Sequence, residues 1–206
     1  MSKIVLIGDS ITDSHRGADP EGLGDGYVRL LRDFYVTSFP GKELLFVNKG
    51  VSADRITDLE VRWQEDVLEE KPDWVSVSIG INDVWRQLDN PGMDQVQPEQ
   101  FLTIYRRLLQ QAAEKTDSRL ILMQPTVIEE KPSSKGNQLL KEYVEIVDQL
   151  AKEYDAILVP LHKVFISYLK KNGPVPLTTD GVHMTTTGNM LMFKTWREAV
   201  QDYITN

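Results

Sequence analysis

The sequence predicts an α/β fold, a parallel sheet covered by helices on both faces, and three observations carry that expectation. Short apolar runs end at Gly or Pro, amphipathic segments of helical spacing stand between them, and the two kinds alternate along the chain. The first run, Ile4-Val5-Leu6-Ile7, stops at Gly8. The second, Leu44-Leu45-Phe46-Val47, leads into Asn48-Lys49-Gly50, and the third, Trp74-Val75-Ser76-Val77-Ser78-Ile79, stops at Gly80. Leu120-Ile121-Leu122-Met123 is closed by Pro125, and Ala156-Ile157-Leu158-Val159 by Pro160. Runs this short with such flanks suit strands, not helices.

Between them, Phe101, Ile104, Tyr105, Leu108, Leu109 and Ala112 recur at three- and four-residue steps. Leu139, Tyr143, Val147, Leu150 and Tyr154 do the same, and so do Met190, Phe193, Trp196, Val200 and Tyr203. Long right-handed crossovers between parallel strands demand this pattern. The stretch 89–98, rich in Pro, Gly and Asp, reads as a surface loop. With no repeat or linker in view, residues 1–206 are expected to form a single domain.

Composition narrows the functions. A hydrophobic share of 41% with 26% charged residues is that of a soluble globular chain, and no run is long enough to span a bilayer. The start lacks a signal-peptide core, and a cytoplasmic location is the default expectation. A net charge of −8 without a basic stripe excludes a nucleic-acid partner. The absence of cysteine removes disulfides, thiolate metal sites and a cysteine nucleophile. The acidic residues Asp9, Asp13 and Asp19 lack ligand-rich spacing with a second histidine, so neither metal nor cofactor is expected.

In an open parallel sheet, ligands bind beyond the carboxyl ends of the strands. Ser10 stands there, in Gly8-Asp9-Ser10-Ile11-Thr12, where its own N–H lies at a helix N-terminus. By itself the motif reads first as a helix cap. A nucleophilic serine needs a base, and the histidines are His15, His162 and His183. A surface or satisfied core position is the plainer reading of His15 and His162. His183 has Asp180 three residues earlier, beside Gly181, and a carboxylate so near can fix the imidazole tautomer and stabilise its cation. Acyl transfer also needs donors for an oxyanion. The Ser10 and Gly50 N–H groups and the Asn82 side-chain amide are candidates, against a turn at Gly50 and an Asx turn at Asn82.

The blocks Gly8-Asp9-Ser10-Ile11-Thr12, Gly50 after Asn48, Gly80-x-Asn82-Asp83 and Asp180-x-x-His183 resemble, in order, the four signatures of the SGNH (GDSL-type) hydrolases. The resemblance implies a three-layer α/β/α sandwich on a five-stranded, flavodoxin-like parallel sheet. It assigns Ser10 as nucleophile, His183 as base, Asp180 as its orienter, and Ser10, Gly50 and Asn82 as the oxyanion hole. Val47-Asn48-Lys49-Gly50-Val51-Ser52, Lys71-Pro72-Asp73-Trp74-Val75-Ser76 and 79–87 are similar to intracellular bacterial acetylxylan esterases of that superfamily. Those relatives imply an acetylated sugar as substrate, no metal, and a homo-oligomer. Met184 stands where the family often has Pro, and Thr179 where these relatives carry Trp, which leaves acyl-chain and sugar preference open.

Trp85 and Arg86 are candidates for the sugar pocket, against an ordinary partly buried aromatic as an equal reading, and Asp9 joins them as a candidate contact that also serves the helix start beside Asp13. Asp83 is expected to brace the loop carrying Asn82. Trp63, Trp74 and Trp196 are expected in the core or an interface. The expected function is hydrolysis of short acyl esters through an acyl-enzyme. The alternatives are a thioesterase or lysophospholipase for longer chains and a silent carbohydrate-binding protein on the same fold.

Overall fold

The computed structural model describes residues 2–171 and 173–204. Five parallel strands form one sheet: β1 (Ser2–Gly8), β2 (Leu44–Gly50), β3 (Trp74–Ser78), β4 (Arg119–Met123) and β5 (Ile157–Val159). All five predicted apolar runs are strands. Their order across the sheet is β2-β1-β3-β4-β5, the flavodoxin-like arrangement, with the direction of travel reversing at β1.

Register makes that reversal useful. Gly8 pairs with Gly50 on one side and with Ser78 on the other, so three strands end level. The chain beyond them, carrying Ser10, Gly50 and Asn82, emerges side by side at one edge.

Among the described residues, eight α-helices connect and cover the strands: α1 (Ser10–Asp13), α2 (Tyr27–Ser38), α3 (Ile56–Trp63), α4 (Ile81–Asp89), α5 (Pro98–Lys115), α6 (Lys135–Glu153), α7 (Leu161–Lys170) and α8 (Thr186–Ile204). A π-helical stretch, Gln64–Leu68, extends α3. Helices α2 and α8 pack together, with α7 against α8, while α3, α5 and α6 form the other layer. The core fits this layering: Tyr35 stacks between Phe39 and Phe46, and Trp196 donates its indole N–H to Ser76 Oγ on β3. Trp63, Trp74 and Trp196 are all buried, as expected.

One local expectation gives way. The segment of Asn82 and Asp83 is not a loop but the first turn of α4. Gly80, at φ 117°, takes the left-handed conformation that caps the helix, a turn an L side chain would strain. Trp85 and Arg86 therefore ride on a helix.

Candidate active site

Helix α1 starts where β1 ends, and Asp9 is its cap: Asp9 Oδ1 accepts the Ile11 N–H at 2.9 Å. Ser10, the first helical residue, is thereby left with its hydroxyl at the sheet edge. Its Oγ lies 2.9 Å from His183 Nε2, and His183 Nδ1 lies 2.6 Å from Asp180 Oδ2. An ionised Asp180 only accepts, so Nδ1–H donates to it, and Nε2 is left to accept the Ser10 hydroxyl proton.

The loop carrying Asp180 and His183 is rigid for local reasons. Asp180 Oδ1 accepts the N–H groups of Val182 and His183, closing an Asx turn, and Gly181 at φ 95° allows the bend. Partial burial opposes ionisation of Asp180, but the His183 ring and these two N–H groups outweigh it and hold the carboxyl below its ordinary range. Glu130 anchors the loop's entry, its Oε1 accepting Leu177 N–H, Thr178 N–H and Thr178 Oγ1–H. Sequence reading passed over Glu130, since nothing local marks a carboxylate whose partners are 47 and 48 residues away.

Of the other histidines, one lies away from this cleft and one on its rim. His162 is part-buried and Nδ1–H donates to the Thr126 carbonyl at 2.6 Å; burial lowers its pKa, against that hydrogen bond. His15 stands on the rim of the cleft, paired with Asp25.

The three donor groups differ. Ser10 N–H has no acceptor among the described residues. Asn82 donates one amide hydrogen to the Asp54 carbonyl at 3.0 Å, leaving the other unengaged. The Gly50 N–H, in contrast, donates to Asn48 Oδ1 at 2.8 Å. Asn48 is buried, and its Nδ2 reaches the carbonyls of Thr12 and Leu23, tying α1 and the following loop to β2.

A cleft of about 590 Å³ opens over Ser10 and His183. Its lining comes from α1 and the residues after it, from Asp25 and Ser52, and from the histidine loop and the start of α8. Thr179 and Met184, the two departures from the family pattern, both face it.

Three expected substrate contacts fall outside this lining. Asp9 is 1% exposed and turned inward as the helix cap, where burial, moderated by the Ile11 N–H and by His183, pushes its carboxyl up to about 7. Trp85 packs its edge against the His183 ring, centroids 5.8 Å apart, and Arg86 lies over the Trp85 face at 4.9 Å while pairing with Asp89. Trp85 thus backs the imidazole and Arg86 backs Trp85. Asp83 braces its surroundings as expected, but as a buried group: Oδ1 accepts the Ile56 N–H at 3.1 Å and Oδ2 has no partner among the described residues.

The profile of the GDSL-like lipase/acylhydrolase family matches residues 6–191, from β1 into α8. The chain belongs to that family. Among the curated family members it is 38% identical to an acetylxylan esterase of Geobacillus stearothermophilus over 199 residues, 92% of this chain and 90% of the relative. It is 26% identical to the thioesterase 1/protease 1/lysophospholipase L1 of Escherichia coli strain K12, over 87% and 74% of the two chains. The crystal structure of the Geobacillus acetylxylan esterase superposes with a TM-score of 0.90 at 35% identity, covering 97% of this chain and 94% of that one. Catalytic mutants of that enzyme, with a serine, an aspartate or a histidine replaced by alanine, superpose equally well, and there the aspartate and histidine are three positions apart.

Proposed function

We propose that this GDSL-family chain is a serine esterase that removes short acyl groups, acetyl foremost, from carbohydrate esters such as acetylated xylo-oligosaccharides. The observation that carries it is the Ser10–His183–Asp180 relay, at 2.9 and 2.6 Å, opening onto the cleft. Three catalytic residues of the same types in the Geobacillus enzyme support it.

Ser10 Oγ attacks the ester carbonyl as its proton passes to His183 Nε2, and Asp180 stabilises the imidazolium. The Ser10 N–H and the free Asn82 amide hydrogen receive the oxyanion, each worth about 100- to 1000-fold in rate. Gly50 joins them by exchanging its Asn48 acceptor for the oxyanion. His183 then protonates the departing alcohol, and activates water to free the acyl group from Ser10.

The cleft lining favours a short acyl group over a long one. Ile11 and Met184 are its apolar members, and the rest are hydroxyls, carboxylates, an amide and imidazoles. A long acyl chain needs a continuous apolar wall to gain about 0.8 kcal/mol per methylene, and two side chains do not provide one. The reading also takes in a cytoplasmic location and a homo-oligomer.

The test is kinetic. Ser10→Ala should lower p-nitrophenyl acetate hydrolysis by at least about 10⁴-fold, and acyl esters lengthened from acetyl to octanoyl should lose kcat/KM steeply beyond butyryl. Retained activity in the variant would remove Ser10 from the mechanism. A preference for octanoyl would favour the thioesterase reading.

A further inference from the structure

The cleft holds a second histidine–carboxylate pair for which the acyl-transfer steps have no use. His15 Nδ1 lies 3.2 Å from both Asp25 oxygens, and the two side chains are 82% and 72% exposed. A surface pair of this kind adds little to stability, so the fold does not explain the effort spent in placing it.

That effort is visible in the backbone. Ser14 and His15 are consecutive left-handed residues, φ 43° and 63°, a conformation costing roughly 1–2 kcal/mol per non-glycine residue. Ser14 N–H donates to the Ser10 carbonyl, and Asp25 N–H donates to the Ser14 carbonyl at 2.9 Å. Gly24 fits against this corner only because it lacks a Cβ, which would lie 2.3 Å from Ser14 O. Asp19 Oδ2 holds the loop in turn by accepting the N–H groups of Leu23 and Gly24. Strain that the surroundings over-determine points to function, and here it presents His15 to the cleft that holds the nucleophile.

His15 and Asp25 also form the shared wall between the triad cleft and a second depression of about 440 Å³ that continues past Asp19, Pro20 and Arg29. Together the two adjoining depressions offer far more room than an acetyl group needs, so the alcohol part of the ester is what occupies them. Their walls carry Asp13, Asp19 and Asp25, and Arg29 is already paired with Asp19 and Glu21. Such walls disfavour phosphate-bearing alcohols and suit a neutral one.

We propose that the His15–Asp25 pair is a subsite for the hydroxyls of a neutral pyranose chain on the alcohol side of the scissile ester. It rests on the sugar-esterase reading above and sharpens its specificity. The Asp25 carboxylate accepts from sugar hydroxyls, and His15 offers Nε2, which has no partner among the described residues. Ser52, whose hydroxyl donates to Asp13 Oδ2 at 2.6 Å, extends the polar wall towards Ser10.

The experiment compares kcat/KM for acetylated xylotriose with that for p-nitrophenyl acetate in the unchanged protein and in His15→Ala, His15→Gln and Asp25→Asn. In the Ala and Asn variants the ratio of the two constants should fall about tenfold through KM, the size of one lost hydrogen bond to a charged group. His15→Gln, which keeps a donor, should recover part of the loss. A ratio that stays constant, whether both constants hold or both fall together, overturns the subsite. If the unchanged protein releases no acetate from the xylotriose yet hydrolyses p-nitrophenyl acetate, the sugar reading itself fails and the subsite goes with it.

Discussion

Arg62 stands outside the triad but touches what holds each candidate donor in place. Its Nη2 donates to the Gly8 carbonyl and its Nη1 to the Lys49 carbonyl, the residues ahead of Asp9-Ser10 and of Gly50. Its Nε bonds Asp54 Oδ2 at 2.7 Å, and the Asp54 carbonyl receives the Asn82 amide. A guanidinium fork suits this work because its donors are fixed in one plane. Asp54 is buried, and burial raises its pKa against the lowering effect of Arg62. Arg62→Met should therefore cost about 3 kcal/mol, the lower end for breaking a buried pair since Arg62 keeps some exposure, and should lower kcat more than it raises KM. Arg62→Lys restores the charge without the fork and should regain stability but not kcat. Urea unfolding beside steady-state kinetics separates the two effects, and an unchanged kcat in the Met variant would confine Arg62 to a structural role. None of this was legible in the sequence, because the contacts of Arg62 with Gly8 and Lys49 lie 54 and 13 residues away. Ser10 and the Asp180–His183 pair were legible, because one follows a strand and the other two are neighbours. Asp9 was legible as the residue that starts the helix, but it lies outside the cleft lining, because adjacency to Ser10 does not say which way a side chain turns.

At the scale of elements, strands announced themselves and helices did so unevenly. Each of the five strands ends at, or within two residues of, a Gly or Pro, so the apolar runs mark them plainly. Helix α4 did not, because Gly80, Asn82 and Asp83 are turn formers by local preference. Packing overrides that preference, burying Ile81, Asn82, Asp83 and Val84 in one turn. Helix α8 was recognised from its spacing, but not the way its first turn supports the histidine loop. Gly188 lies so close to that loop that a Cβ there would sit 2.1 Å from the Leu177 carbonyl oxygen and 2.9 Å from Met184 Sδ. Gly188→Ala would gain about 1 kcal/mol of helix propensity, whereas overpacking against a backbone atom costs about 1–3 kcal/mol. The collision should win. The variant should unfold at a lower temperature and, because the displaced segment leads to Asp180 and His183, lose kcat while binding substrate nearly as before. A more stable variant of full activity would mean that the loop yields freely.

The whole molecule keeps three carboxyl groups buried beneath the cleft: Asp9, Asp54 and Asp83. Burial pushes Asp83 up to about 7, with the Ile56 N–H opposing it and Asp9 reinforcing it; Asp9 itself stands at about 7. In the unfolded chain an aspartate titrates near 4. Between those values the folded protein holds protons that the unfolded chain has released. The slope of stability with pH is then negative, up to about 1.4 kcal/mol per pH unit for each such group. Stability should fall as pH rises from about 4 to about 7 and stay low above it, with repulsion at a net charge of −8 acting in the same direction. Glu70, lowered beside Lys49, acts at more acidic pH, whereas His162, lowered by burial, offsets part of the fall below about pH 6.5, where two raised aspartates outweigh one imidazole. Asp83→Asn isolates the effect. The amide oxygen can still accept the Ile56 N–H, while the amide nitrogen, placed where Oδ2 has no partner, adds a cost that does not vary with pH. Calorimetry across pH 4.5 to 8.5 should show the variant's Tm falling less steeply than that of the unchanged protein, even where its absolute value is lower. Parallel curves with a constant offset would mean that Asp83 does not titrate in this range, and would leave the slope to Asp9 and Asp54.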